Sequence, residues 1–220
     1  MIPQEVTHEV MQTFRKRKTL TVEQLKTLLH CSVPGVRKYL KQWKTVTSYN
    51  CNGRYYALPD VPQFNEYGLW DHNGVRFSRF GTLKETIIQV VRQSPRGLSS
   101  AELGSLLGLD PRSFMNHYKD LPQLQRIKIH GRYVYLSNDE QTGKRQQEHR
   151  EEAIAAKALQ QISDHDAVTV FADFIKHPVT AMENRVNRLQ KQGIRVNAQN
   201  IRALLQFHGL SEKKTVQPDS

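Results

Sequence analysis

The sequence predicts a mainly α-helical chain with small β-hairpins: two tandem copies of one three-helix-and-hairpin unit, then a separate helical module. Three observations lead there. When the 220-residue chain is shifted by 78 positions, two stretches align without a gap. Leu20, Leu25, Leu28 and Leu29 fall on Leu98, Leu103, Leu106 and Leu107, Lys41 on Lys119, Gly53-Arg54-Tyr55 on Gly131-Arg132-Tyr133, and Leu58 on Leu136. Most of these are core-type or turn-type positions, the kind a repeated fold keeps. Apolar residues also recur three and four apart between capping signals, as in amphipathic helices. Finally, Asn-Gly or His-Gly pairs stand between short strand-like runs, as in tight hairpins.

The first copy covers residues 1–60. Val6, Val10, Thr13 and Phe14 form a helical stripe. Thr21 with Gln24 reads as a capping box ahead of Leu25, Leu28 and Leu29. Ser32 caps a third helix, predicted over residues 32–44, with Pro34 in its first turn, where proline is tolerated. Val36, Leu40 and Trp43 stand at i, i+4 and i+7 on its inward face. A strand near residues 45–49, the Asn52-Gly53 turn and a return strand over 54–58 complete the unit. The second copy covers residues 82–137. Leu83, Ile87, Ile88 and Val91 make its first helix. Ser99 and Glu102 form a cap signal, Asp110-Pro111 opens a third helix, and Phe114, Tyr118 and Leu121 face inward. Strands over 125–129 and 132–136 flank His130-Gly131.

Residues 61–81 join the copies. Phe64, Tyr67, Trp70, Phe77 and Phe80 surround Asn73-Gly74, predicting a further hairpin whose aromatics pack the two copies together rather than stack nucleobases. Arg76 and Arg79 remain able to reach a nucleic-acid backbone. Residues 138–162 read as a polar, turn-rich linker entering a helix from Ala153. In residues 163–210, Val168, Phe171, Phe174 and Ile175 predict one apolar helix face. Thr180 with Glu183 predicts a capping box before Val186 and Leu189. Gly193 ends that helix, and Asn197 caps a last one bearing Ile201, Leu204 and Leu205, stopped by Gly209. Residues 211–220 are a tail.

Composition narrows the function. The 32 Lys and Arg against 21 Asp and Glu give a net charge of +11, which favours a polyanionic partner. The excess sits in two blocks, +6 over residues 1–62 and +4 over residues 81–137, with +2 over residues 163–220. A disordered basic tail would instead gather its charge at one apolar-poor end. The N-terminus lacks a secretory pattern, no apolar run is long enough to span a membrane, and two cysteines suit a reducing cytosol. No Walker-type phosphate loop or GxGxxG occurs. A cytoplasmic, nucleoid-associated protein is expected.

Helix, helix-turn-helix and β-hairpin, in that order and in duplicate, resembles tandem winged-helix DNA-binding proteins. The resemblance implies that the third helix of each copy enters a major groove and that the hairpin wing lies near phosphates. Further on, Gly193-Ile194-Arg195-Val196-Asn197 followed by Ile201, Leu204-Leu205 and Gly209-Leu210 resembles the helix-turn-helix of bacterial transposases. The chain departs from that family by ending ten residues later, without a catalytic domain.

At 100° per residue, Arg37, Lys38, Lys41 and Lys44 fall between about 80° and 200° from Val36, opposite the apolar face. Lysines there suit phosphate neutralisation, and Arg37 suits a bidentate contact to guanine. On the third helix of the second copy, Arg112, Asn116 and Lys119 face outward, a mixture better suited to reading bases. Arg54 and Arg132 follow the turn glycines at matching wing positions, suited to a minor groove or a phosphate. Gln199, Arg202 and Gln206 face outward on the last helix. The bland reading of all these residues is a solvated helix face or strand end.

No catalytic or metal site is expected. Asp60, Asp71, Asp110, Asp173 and Glu183 lie in caps, turns or a helix, without a central sheet to converge their carboxylates. His30, Cys31 and Cys51 lack a fourth zinc ligand. The expectation is therefore a bacterial-type, sequence-specific, double-stranded DNA-binding protein without cofactor. It would act as a transcriptional regulator or as a targeting or accessory factor of a mobile element. The alternatives are a plasmid or phage replication initiator, a winged-helix protein-interaction module such as an antitoxin, and a structured-RNA binder. Besides duplex DNA, the expected partners are a transposase, a replication protein or a second copy joined through the C-terminal helices, and no membrane.

Overall fold

A computed structural model describes residues 2–129 and 131–210. These form ten α-helices and eight short strands arranged in three antiparallel sheets. The chain divides into two units, Met1–Gln146 and Gln147–Ser220.

In the first unit, α1 (Gln4–Arg17), β1 (Leu20–Thr21), α2 (Val22–Leu29) and α3 (Val33–Gln42) precede β2 (Val46–Thr47) and β3 (Tyr55–Ala57). The predicted box is present: the Thr21 hydroxyl accepts from the Gln24 N–H and the Gln24 side chain accepts from the Thr21 N–H. Val10, Phe14, Leu20, Leu25, Leu29, Val36, Leu40 and Leu58 form the core. Strand β1 was not legible in the sequence, since two residues leave no period-2 trace. It pairs with β3, giving the sheet order β1-β3-β2. The third helix ends at Gln42, two residues before its predicted limit. There the Thr45 N–H reaches the Leu40 carbonyl and the Lys44 N–H the Lys41 carbonyl, both at 3.1 Å, which is a Schellman stop. Lys44 is the left-handed residue of that stop, at φ 52°, where a non-glycine residue costs about 1–2 kcal/mol.

Next comes the connecting hairpin, β4 (Leu69–His72) and β5 (Val75–Ser78), turning through Asn73-Gly74 as predicted. It changes the first copy's wing. Asn52-Gly53 is not a two-residue turn, because the β2–β3 ladder ends early and the chain passes through a 3-10 turn, Cys51–Gly53. The cause is competition for backbone partners. The Tyr49 N–H donates to the Arg76 carbonyl at 2.9 Å. The Asn50 side chain accepts from the Arg76 N–H at 2.9 Å and donates to the Gly74 carbonyl at 2.7 Å. Val75 and Phe77 pack on Ala57 beside Val46, Tyr55, Phe64 and Trp70.

The second copy runs α4 (Leu83–Gln93), β6 (Leu98–Ser99), α5 (Ser100–Leu107), α6 (Pro111–Tyr118), β7 (Leu124–Ile129) and β8 (Arg132–Ser137). Its sheet order, β6-β8-β7, repeats that of the first copy. Ser99 with Glu102 makes the same reciprocal cap as Thr21 with Gln24. His30 and Gly108, 78 positions apart, both end their helices in the left-handed region. The wing is longer here: β7 and β8 pair from Leu124–Ser137 to Ile129–Arg132. Of the predicted His130-Gly131 turn, His130 lies outside the described residues.

Leu69 and Tyr49 pack against the core of the second copy, and hydrogen bonds add to this. The Tyr49 hydroxyl donates to the Leu107 carbonyl at 3.0 Å. Arg76 pairs with Asp71 at 2.8 Å and donates to the Gly108 carbonyl. Arg76 is therefore occupied at this junction, contrary to the expectation that it reaches a nucleic-acid backbone. Burial pushes the Tyr49 phenol up from 10.0 to about 12, against a smaller lowering by Arg76. A raised phenol pKa contributes stability that is complete below pH 10 and is lost as pH rises through 12. Tyr49→Phe is expected to remove one late-ionising phenol from an alkaline absorbance titration and to take away this part of the alkaline loss of stability. Loss of the hydrogen bond should cost about 1 kcal/mol in urea unfolding at neutral pH.

Helix is present beyond Ala153 as expected, but it begins earlier: the polar residues before Ala153 belong to the same helix, α7 (Glu140–Leu159). The Asp139 carboxylate accepts the Thr142 N–H at 2.9 Å, opening a helix whose low apolar content hid it. Within the first unit, the buried Gln146 donates to the carbonyls of Val91 and Ser94, each at 2.7 Å, and accepts from the Ser137 N–H at 2.8 Å. It thereby satisfies carbonyls at the end of α4 that the helix leaves open.

The second unit contains the rest of α7, α8 (Asp164–Lys176), α9 (Met182–Lys191) and α10 (Ala198–Phe207). Val170, Leu189, Ile194, Val196, Ile201, Leu204 and Leu205 form its core. Asn197 caps α10 through a reciprocal box with Asn200. Two expectations are corrected. Val168 and Ile175 are exposed, because α8 turns Val170 and Asp173 inward instead. Helix α9 starts after Ala181, without the Thr180–Glu183 box. A buried ion pair links the two helices at this place. The Arg185 guanidinium meets Asp173 at 2.7 Å, donates to the His177 carbonyl at 2.8 Å and lies 3.4 Å from the Phe174 ring centroid. Asp173 thus faces inward on α8 and Arg185 inward on α9.

Candidate functional site

The Val36–Leu40 edge of α3 is buried, and Arg37, Lys38 and Lys41 stand exposed on the rest of the helix. Arg37 with Lys41 and Lys38 with Lys41 are like-charged pairs at i,i+4 and i,i+3, each costing a few tenths of a kcal/mol. No ion pair neutralises any of the three among the described residues. Lys44, expected on the same helical face, lies beyond the helix end and is corrected to a left-handed stop residue, though it is exposed beside the others.

Arg112 and Asn116 on α6 and Lys119, the cap residue just past its end, are exposed as expected. The Asp110 carboxylate holds the Arg112 N–H at 3.0 Å, so Pro111 and this cap fix where the exposed face begins. In the second unit, Arg202 and Gln206 are exposed on α10 and Gln199 is partly so.

The wing arginines are not equivalent, which corrects their matched placement. Arg132 sits in the last rung of a six-rung hairpin, opposite Ile129. Arg54 follows the 3-10 turn as its helical cap residue, on a wing tied down by β5. Both are exposed.

Other cations went unnoticed in the sequence. On β7, Arg126 and Lys128 are exposed, and the Arg126 guanidinium lies 4.7 Å from the ring centroid of Tyr133, itself 50% exposed. The alternation Arg126-Ile127-Lys128-Ile129 held that signal, since period 2 places both cations on one face. At the end of α1, Arg15 pairs with Asp60 at 3.2 Å, whereas Lys16, Arg17 and Lys18 are exposed. Four successive cations were the signal there.

The carboxylates weighed for catalysis are mostly engaged elsewhere: Asp60 with Arg15, Asp71 with Arg76, Asp110 in its cap, Asp173 with Arg185 and Arg188. Among the described residues, no three His, Cys, Asp or Glu gather where they could hold a metal ion. No described helix is long and apolar enough to cross a membrane. No protein-family model matches the chain, and a search of curated proteins finds no match.

Proposed function

We propose that the chain is a sequence-specific, duplex-DNA-binding protein with two tandem winged helices and a third reading helix in its C-terminal unit. Its task is binding rather than catalysis, in regulation of transcription or in targeting a mobile element at the nucleoid. The observation that carries this reading is the exposed, unneutralised cationic face of α3, which costs the free protein stability and gains it back beside phosphates. The repeated order of helix, short strand, two helices and hairpin supports it, with the short strand pairing to the return strand in both copies. Lys and Arg on α3, at the end of α1 and on β7 supply affinity. Arg112 and Asn116 on α6, Lys119 at its end, and Gln199, Arg202 and Gln206 on α10, supply base contacts.

Selection from a random duplex library, with single-stranded DNA and RNA as competitors, tests this. A shared motif longer than one half-turn is expected. Equal retention of every polyanion without a motif would overturn it.

A further inference from the structure

Seven large apolar or aromatic side chains stand exposed among the described residues, and five of them lie in the second unit: Val168, Ile175, Val179, Phe207 and Leu210. Val168 and Ile175, 67% and 81% exposed, are seven residues apart on α8 and share one stripe. Half-buried Phe171 flanks it, and its ring meets His208 at 5.1 Å, which meets Phe207 at 5.1 Å. The patch therefore continues from α8 onto the end of α10. It runs opposite the α8 face that buries Val170 and Asp173. The spacing 168, 171, 175 is that of a helix–helix seam.

We propose that this face is where α8 pairs with α8 of a second copy, antiparallel about a twofold axis. The charges along the helix choose that occupant. Asp164 and Asp166 stand in the first turn and Lys176 in the last. In an antiparallel pair centred between Phe171 and Ala172, Val168 faces Ile175 of the other copy. Asp164 then lies less than one turn along the axis, about 4.5 Å, from the level of the other copy's Lys176, which long side chains can span. A parallel pair would set Asp164 on Asp164 and Lys176 on Lys176. An isologous contact needs a surface complementary to itself under a half-turn, which this pattern supplies. The pairing rests on the second unit alone and is independent of how the protein reads DNA.

Sedimentation velocity on the full chain, without nucleic acid and across the micromolar range, tests the proposal. The protein is expected to dimerise, and Val168→Glu with Ile175→Glu to weaken dimerisation by roughly thirtyfold or more. Both positions are exposed, so circular dichroism of the variant should match that of the parent. Asp164→Lys and Lys176→Glu should each weaken the dimer, and the two together should restore it, which loss of folding could not imitate. A chain monomeric throughout this range, or a dimer indifferent to the glutamates or unrestored by the charge swap, would overturn the pairing.

Discussion

Replacing Arg37, Lys38 and Lys41 together with alanine is expected to lower duplex affinity roughly a hundredfold at low salt and to reduce the slope of log K against log salt by about 2–3. Each cation that neutralises a phosphate releases counterions, so both quantities should move together. The variant should not lose thermal stability, because the three side chains are exposed and repel one another. Fluorescence anisotropy over a salt series, with a melting curve alongside, measures both. Unchanged affinity and slope would remove α3 from the interface.

The largest effect on stability is expected at Asp173. Its carboxylate accepts from Arg188 at 2.6 and 2.9 Å and from Arg185 at 2.7 Å. Only 1% of Arg185 is exposed, so Asp173→Ala leaves a cation inside without its counter-charge. The second unit should lose about 3–5 kcal/mol, a large part of the 5–15 kcal/mol that holds a typical domain together. Replacing the pair together, Asp173→Leu with Arg185→Met, should cost much less. Urea unfolding followed by hydrogen exchange at amides of α8 to α10 separates these outcomes.

The same carboxyl sets an acid limit. The hydrogen bond from Arg188 holds the Asp173 pKa below 3.8, helped by the charges of Arg188 and Arg185 and opposed by burial. A lowered carboxyl pKa contributes stability that is complete above the ordinary value and is lost as pH falls through the folded one. The second unit is therefore expected to lose this part of its stability as pH falls through the lowered Asp173 pKa, and Asp173→Asn should flatten that limb.

Local chemistry was legible where one residue type determines one geometry. Thr21, Ser99 and Asn197 cap their helices as their side chains predict, and Asn73-Gly74 makes the turn that pair favours. The outward placement of Arg37, Lys38, Lys41, Arg112, Asn116 and Lys119 followed from helical period alone. What failed depended on partners distant in sequence. Gly53 and Gly131 carry the same tripeptide, yet β5 takes the hydrogen bonds of the first wing and leaves the second free. Val168 and Ile175 looked interior because no rule of period foresees a buried arginine on the next helix. The alternation of Arg126 and Lys128 places both on one strand face, but alternation alone does not tell which face solvent reaches.

The hold of β5 on the first wing also bears on synthesis. The first copy supplies all three strands of its own sheet but not the partners of the wing beyond them, since Tyr49 and Asn50 take theirs from residues 74–76. As the chain leaves the ribosome, the first copy keeps an open edge until the connecting hairpin has emerged. Its Tyr49 hydroxyl waits longer still, for Leu107. The duplicated halves are thus not two beads on a string. The earlier one is completed by what is made after it, so a ribosome stalled between them would hold a half whose helices and strands are made and whose wing still lacks its partners.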